Sequence, residues 1–355
     1  MLWLLRKITC PVVALAMLAG CGVAQSAVQP ASSSAGALPP SAAVSSLARG
    51  LTARQLLRPS GSAVARASWM SPSASGQDLV YVSDLEAGVV NVFTYPGGQQ
   101  VGSLAGFQNP QGECVDAKGN VWLTNSFQSE IVEYAHGGTN PINRLMIVDQ
   151  LPVGCSVDPM TGALAVTSYC QFQNPQCVGN GSVFVYANIK KQPVQYYVGA
   201  AKIDYFPAYD PHGDLFADVD LTGLGNFGLA ELKKGASAFT PTILDREVYF
   251  PGGLEWSGKY LAVGDQEAGG QHTSSVHQVA IAGAHGKVVS TTRLQGSGDV
   301  VQFWIQGSTV VVPNIGDGVP NDIRLYQYPA GGSATVFGSG LGQPLGAAVS
   351  LAQKK

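Results

Sequence analysis

The stretch Pro110–Tyr134, PQGECVDAKGNVWLTNSFQSEIVEY, decides the fold. It opens on a short run of small residues and turns at Asp116–Asn120 (DAKGN), where Asp, Gly and Asn supply local hydrogen bonds and positive φ. An apolar, β-branched strand ending in a small polar residue follows (VWLTN), and then a second strand, EIVEY, running into Gly137 and Gly138. Alternation of period two ending at a glycine pair is what a half-buried strand entering a hairpin requires.

Working outward, the apolar strand recurs as LVYVSD (Leu79–Asp84), LAVTS (Leu164–Ser168), LFADVD (Leu215–Asp220), LAVGD (Leu261–Asp265) and VVVPN (Val310–Asn314), at spacings of about 41 to 51 residues. Second strands recur as VVNVFTYPGG, GSVFVYAN, SVHQVAIAG and IRLYQYPAGG, and small-residue strands as PVGCSVD, PAYDPHGD and PGGLEWSG. A unit of about 45 residues repeated six times and built from short antiparallel strands predicts an all-β, six-bladed β-propeller with four strands per blade. The small-residue strand belongs at the axis, where only glycine lets backbones crowd. The first unit lacks that strand before Leu79, whereas PLGAAVSLA (Pro344–Ala352) is left over at the end of the chain. We therefore expect the C-terminal strand to complete the first blade and close the ring, which removes both open sheet edges.

Composition agrees with this reading and removes alternatives. Gly (44) and Pro (21) are abundant, whereas Asp, Glu, Lys and Arg make up only 12% of 355 residues, at a net charge of −3. Such a chain has neither the charged faces of long helices nor the basic excess that nucleic-acid binding needs. Hydrophobic residues at 45% supply a core.

The N-terminus carries Arg6 and Lys7, an apolar stretch, and Leu18-Ala19-Gly20 before Cys21, the layout of an export signal over residues 1–20. LAGC resembles a bacterial lipobox, which implies that Cys21 is lipidated and becomes the first residue of the mature chain. By resemblance to enterobacterial sorting rules, Gly22 in place of Asp implies sorting to the outer membrane in a cell that has one, facing the periplasm or the cell surface. Residues 21–66, rich in Ala, Ser and Pro, read as a flexible tether, which leaves 67–355 for the propeller.

The repeat pattern of Pro-x-Gly, Val-Asp, Gly-Asn-Val-Trp-Leu-Thr-Asn and Ile-Val-Glu-Tyr resembles NHL-type repeats and the wider six-bladed TolB-like propellers, over about residues 68–352. Phrases such as SWMSP, GCSVDP, FPGGLEW and VVQFWIQG also look like a group of uncharacterised bacterial propeller lipoproteins. The resemblance implies the fold and no particular activity.

Loops after the apolar strand and before the small-residue strand share one face of a propeller, and loop growth on one rim is where binding develops. That rim is expected to carry a polar ring of Asp84, Asn125, Ser168, Asp218, Asp265 and Asn314, beside the aromatics Phe107, Tyr205, Tyr249 and Trp304. Such a surface suits a small polar ligand or a glycan, and the three carboxylates could hold Ca2+ or another divalent cation. Equally open is that each Asp or Asn only bonds its own loop, and that the aromatics only pack between blades. Gluconolactonase-type propellers hold a central ion with Glu, Asn and Asp, roles for which Glu113, Asn125 and Asp265 could be cast, although that family's motifs are not reproduced. Streptogramin-lyase-like propellers use a His. Here His272 and His277 stand in and just after the enlarged fifth loop, at a spacing poor for a metal. HExxH, GxSxG and Gly-rich phosphate motifs do not occur.

Of the cysteines, Cys170 and Cys177 bracket the longest insertion and are expected to be bridged in an oxidising compartment. Cys114 and Cys155 lie in axial strands of neighbouring units. Aligning Gly112 with Gly154 sets them one residue out of register, so they are expected on opposite sides as buried thiols, with a bridge left open. The functional expectation is a lipid-anchored envelope module that binds a small polar ligand, a glycan or a protein partner through its rim. The alternative is a cation-dependent hydrolase, lyase or lactonase on the same face.

Overall fold

The computed structural model describes residues 67–353 apart from 224, 269–272 and 317–319. The expected signal and the whole of the expected tether, Cys21 included, fall outside the described residues, as do His272 and parts of the rim loops of blades four, five and six. The described chain forms six small, mainly antiparallel sheets. They are the six blades of a β-propeller.

Lettering strands A to D from the axis outward, blade one holds Pro344–Ser350, Leu79–Asp84, Val89–Thr94 and Gln100–Ala105, with Trp69–Met70 added outside. Blade two holds Pro110–Val115, Val121–Asn125, Glu130–Tyr134 and Pro141–Met146. Blade three holds Gln150–Val157, Leu164–Gln173, Ser182–Tyr186 and Val194–Tyr196, with Gln176–Cys177 folded back on its strand B. Blade four holds Ile203–Tyr209, Leu215–Asp220, Phe227–Leu232 and the two-residue Thr240–Pro241. Blade five holds Pro251–Ser257, Tyr260–Asp265, Ser275–Ala282 and His285–Arg293, with Ile243–Leu244 outermost. Blade six holds Trp304–Gln306, Thr309–Asn314, Asp322–Gln327 and Gly331–Phe337.

The ring closes as expected. Strand Pro344–Ser350 pairs antiparallel with Leu79–Asp84, from Leu79 opposite Ser350 to Asp84 opposite Pro344. Alternate residues of each strand face opposite neighbours, so each blade feeds two cores. Ala165 packs with Leu215 and Ala217 of blade four, whereas Leu164 and Val166 pack with Trp122 and Ile131 of blade two. Axial strands crowd enough to require glycine: a Cβ on Gly154 would stand 2.7 Å from the Tyr205 carbonyl oxygen of the next blade. Across this crowded centre reaches Gln302. Its Nε2 donates to the Glu113 carbonyl at 2.7 Å, and its Oε1 accepts the Glu113 N–H at 3.0 Å. One side chain thus ties blade six to blade two past blade one.

Two disulfides are present, Cys170–Cys177 and Cys114–Cys155, with Cα atoms 5.6 Å apart in each. The second corrects the expectation of free thiols. Cys114 pairs with Trp122, whereas Cys155 pairs with Val166, so the two side chains do leave opposite faces of equivalent strands. In a ring of blades packed face to face, the forward face of blade two meets the backward face of blade three. The odd register therefore brings the sulfurs together.

Candidate functional site

The polar ring is largely consumed by the backbone. Asp84 accepts the N–H groups of Gly342 (2.8 Å), Gln343 (2.9 Å) and Ala87 (3.2 Å). Asn125 accepts that of Gln108 (2.7 Å), Ser168 that of Leu151 (3.0 Å) and Asn314 that of Gly298 (2.7 Å). Asp265 accepts the N–H groups of Tyr249 (3.2 Å), Phe250 (3.2 Å) and Glu267 (3.1 Å). In each case the strand-B terminus clamps the segment that enters strand A of the same blade.

Asp218 is not part of that ring. Strand B of blade four continues to Asp220, and Asp204 pairs with Val219, so Val219 occupies the ring position and Asp218 lies one step deeper. Its place is that of Thr124 and Ser83, hydroxyls that accept an N–H from the bulged axial strand, at Gly112 (2.9 Å) and Gly346 (2.9 Å). Asp218 accepts the Phe206 N–H at 2.7 Å in the same way. Full burial, with Asp204 nearby, pushes the Asp218 carboxyl well above the usual range. Asp204 itself is pushed up to about 8 by burial. Among the described residues, no group of three or more His, Cys, Asp or Glu is placed to hold a metal ion.

The aromatics divide. Phe107 is buried against Tyr134, ring centroids 6.3 Å apart, and Trp304 packs on the core between blades six and one. Tyr205 and Tyr249 line a cavity of about 1020 Å³ at the rim between blades four and five.

That cavity exists because strand D of blade four is cut short. Only Thr240 and Pro241 pair with strand C, opposite Glu231 and Ala230. One further backbone bond follows, from the Thr242 N–H to the Leu229 carbonyl at 2.8 Å. The chain then crosses to blade five, where Ile243 and Leu244 pair in parallel with His285 and Gly286. The wedge this leaves is lined by Phe227, Leu229, Val248, Tyr249, Phe250 and Arg246, among others. Tyr205 stands at its centre, edge-on to Tyr169 (5.5 Å) and to Phe250 (6.0 Å). Burial pushes both phenols up, so they remain neutral donors at physiological pH. Along one margin, Asp220 accepts N–H groups from Thr222, Gly223, Gly225 and Asn226 and fixes the turn. The arrangement offers flat apolar walls with a few polar groups, as ligand sites commonly do.

A second cavity of about 480 Å³ adjoins it on blade five and shares Arg246, Glu247 and Tyr249. It is lined by the expected ring residue Asp265 and by His277. Thus Tyr205, Tyr249 and Asp265 are brought to one groove, whereas Asp84, Asn125, Ser168, Asn314, Phe107 and Trp304 line neither cavity. Sequence reasoning missed Phe227, Arg246 and Arg293, and the one available signal was the Thr-Pro pair at 240–241 that ends a strand early.

No family model and no curated protein matches the sequence. Solved structures do match in fold. A chain from the crystal structure of a nidogen/laminin complex superposes with a TM-score of 0.61 at 13% identity, covering 78% of this chain and 100% of that one. A protein of unknown function from Desulfotomaculum acetoxidans gives 0.53 at 10% identity, covering 78% of this chain and 100% of its own. Another of unknown function, from Bacteroides caccae, gives 0.55 at 10% identity, covering 77% and 99%. At these identities the likeness establishes a shared propeller architecture.

Proposed function

We propose that this chain is a lipid-anchored propeller of the bacterial envelope, of the NHL-type or TolB-like kind, that binds a small polar ligand, a glycan first, in the groove between blades four and five. The observation that carries the reading is the cavity of about 1020 Å³ walled by Tyr205, Phe227, Tyr249 and Phe250 with Arg246 at its edge. Flat aromatic faces bind the apolar side of a sugar ring, and nearby polar groups meet its hydroxyls. A binding role also suits a neighbour in fold taken from a complex of two proteins. The export layout and LAGC at residues 18–21 support the envelope address.

The test uses the full-length chain purified in detergent. Neutral oligosaccharides should raise its melting temperature by mass action, and Phe250→Ala should weaken the best of them about fivefold, the worth of one aromatic contact of ~1 kcal/mol. A panel that shifts nothing would remove the ligand reading. Separately, Cys21→Ala should leave the detergent phase for the aqueous one, and a variant that stays in detergent would remove the lipid anchor.

A further inference from the structure

The smaller cavity is built differently from the larger. Period-two alternation turns Asp265 of strand B, Ser275 and His277 of strand C, and Thr291 and Arg293 of strand D to one face of blade five. Asp265 stands opposite Ser275, Val263 opposite His277, and His277 opposite Thr291. The residues at the place of His277, opposite the matching strand-B positions, are Val132, Phe184 and Ala230 in blades two, three and four, and the polar Asn91 and Arg324 in blades one and six. Blade five thus sets an imidazole at a place that is apolar in three of the other blades and polar in two. His277 is more than nine-tenths buried, its Nδ1 is 2.9 Å from Thr291 Oγ1, and its Nε2 has no hydrogen-bond partner and lies 3.8 Å from Asp265 Oδ2.

Asp265 is occupied by its three backbone donors. Arg246 and Arg293 both line this cavity, and among the described residues neither is in an ion pair. Arg246 Nη1 reaches Thr291 Oγ1 at 3.4 Å, which sets it beside the histidine's own partner. With Thr273 and Ser275 adding hydroxyls, the wall presents donors suited to a planar anion. Glu247 at the shared mouth disfavours a ligand carrying more than one negative charge.

We propose that the smaller cavity is the anion end of the groove, holding through Arg246, Arg293 and His277 the single carboxylate of a ring compound, an acidic sugar of the uronic-acid class, whose ring lies against Tyr249 and Phe250. This rests on the groove being a glycan site. It adds that the ligand is acidic and which end of the groove reads the charge.

Calorimetry on the full-length protein tests it with three probes: a trisaccharide carrying a single hexuronic-acid residue, the same trisaccharide with that carboxyl reduced to an alcohol, and a sugar phosphate. The acidic trisaccharide should bind about tenfold tighter than the reduced one, the worth of one charge-assisted bidentate contact. Arg293→Gln, at an exposed position, should cut that preference, weakening the acidic form more than the reduced one. His277→Asn should weaken the acidic probe more than the reduced one. Equal affinity for acidic and reduced forms, or a preference that survives Arg246→Gln/Arg293→Gln, would overturn the inference and leave the glycan reading standing. Tighter binding of the sugar phosphate would overturn the carboxylate assignment. Binding of none of the three would end both readings.

Discussion

At the scale of single residues, the side chains at the strand-B ends do two jobs at two depths. The outer set, with Asp84 and Asp265 at its head, clamps the entry to strand A by accepting backbone N–H groups. The inner set, Ser83, Thr124 and Thr167, binds axial backbone and can also donate, as Thr167 does to Tyr205 and Ser83 to Gln111. Asp218 belongs to the inner set, and burial pushes its carboxyl well above the usual range, toward the neutral acid that resembles a hydroxyl. Cys114 and Cys155 extend the same logic, because a residue's usefulness depends on which neighbouring blade it faces. Their bridge closes a loop of 41 residues' separation, worth about 4 kcal/mol by chain entropy. Replacing both with Ala should lower unfolding free energy by roughly that amount in denaturant titrations. A loss well under 1 kcal/mol would mean that blade packing alone sets the register.

Among the elements, the decisive one is the last. Strand Pro344–Ser350 is buried throughout, pairs with Leu79–Asp84, and supplies Ala347 and Val349 to the core between blades six and one. Deleting residues 344–355 strips an axial strand from blade one and opens the edge of Leu79–Asp84. The shortened chain should show no cooperative melt and should be cut rapidly by protease, whereas one that melts as the intact protein does would show that closure is dispensable. This element was legible in the sequence, because Pro-x-Gly and the alternation of LGAAVS match the other axial strands. The two-residue strand D of blade four was marked locally only by Thr240-Pro241, and the crossing of the chain to pair with blade five depends on tertiary contacts. The groove follows from that element, so it was hidden for the same reason.

For the molecule as a whole, several carboxyls are buried without a cationic partner. Glu113, Asp218 and Glu255 are pushed well above the usual carboxylate range by burial, and Asp204 is pushed up to about 8. Between about pH 4, where these acids ionise in the unfolded chain, and their higher folded values, the native state holds more protons. Their contribution to stability is therefore complete in acid and is lost as pH rises through the folded values. The melting temperature should fall from pH 5 to pH 9, and Asp204→Asn should flatten the fall near pH 8. A temperature that climbs over this range would contradict the assignment. Low overall charge and a predominantly apolar interior give these groups few counter-ions to compensate them.

The sequence by itself determined the number of blades, the order of strands and the closure, because these follow from local periodicity and from glycine at crowded positions. It also singled out the polar and aromatic rim residues without saying which were occupied. Only the tertiary structure decided that Asp84 and Asn125 serve the backbone, that Cys114 meets Cys155, and that Tyr205, Tyr249 and Asp265 share one groove. The physical reason is that a strand's pattern fixes which residues share a face, whereas what each face meets depends on register, bulges and strand length in the neighbouring blade.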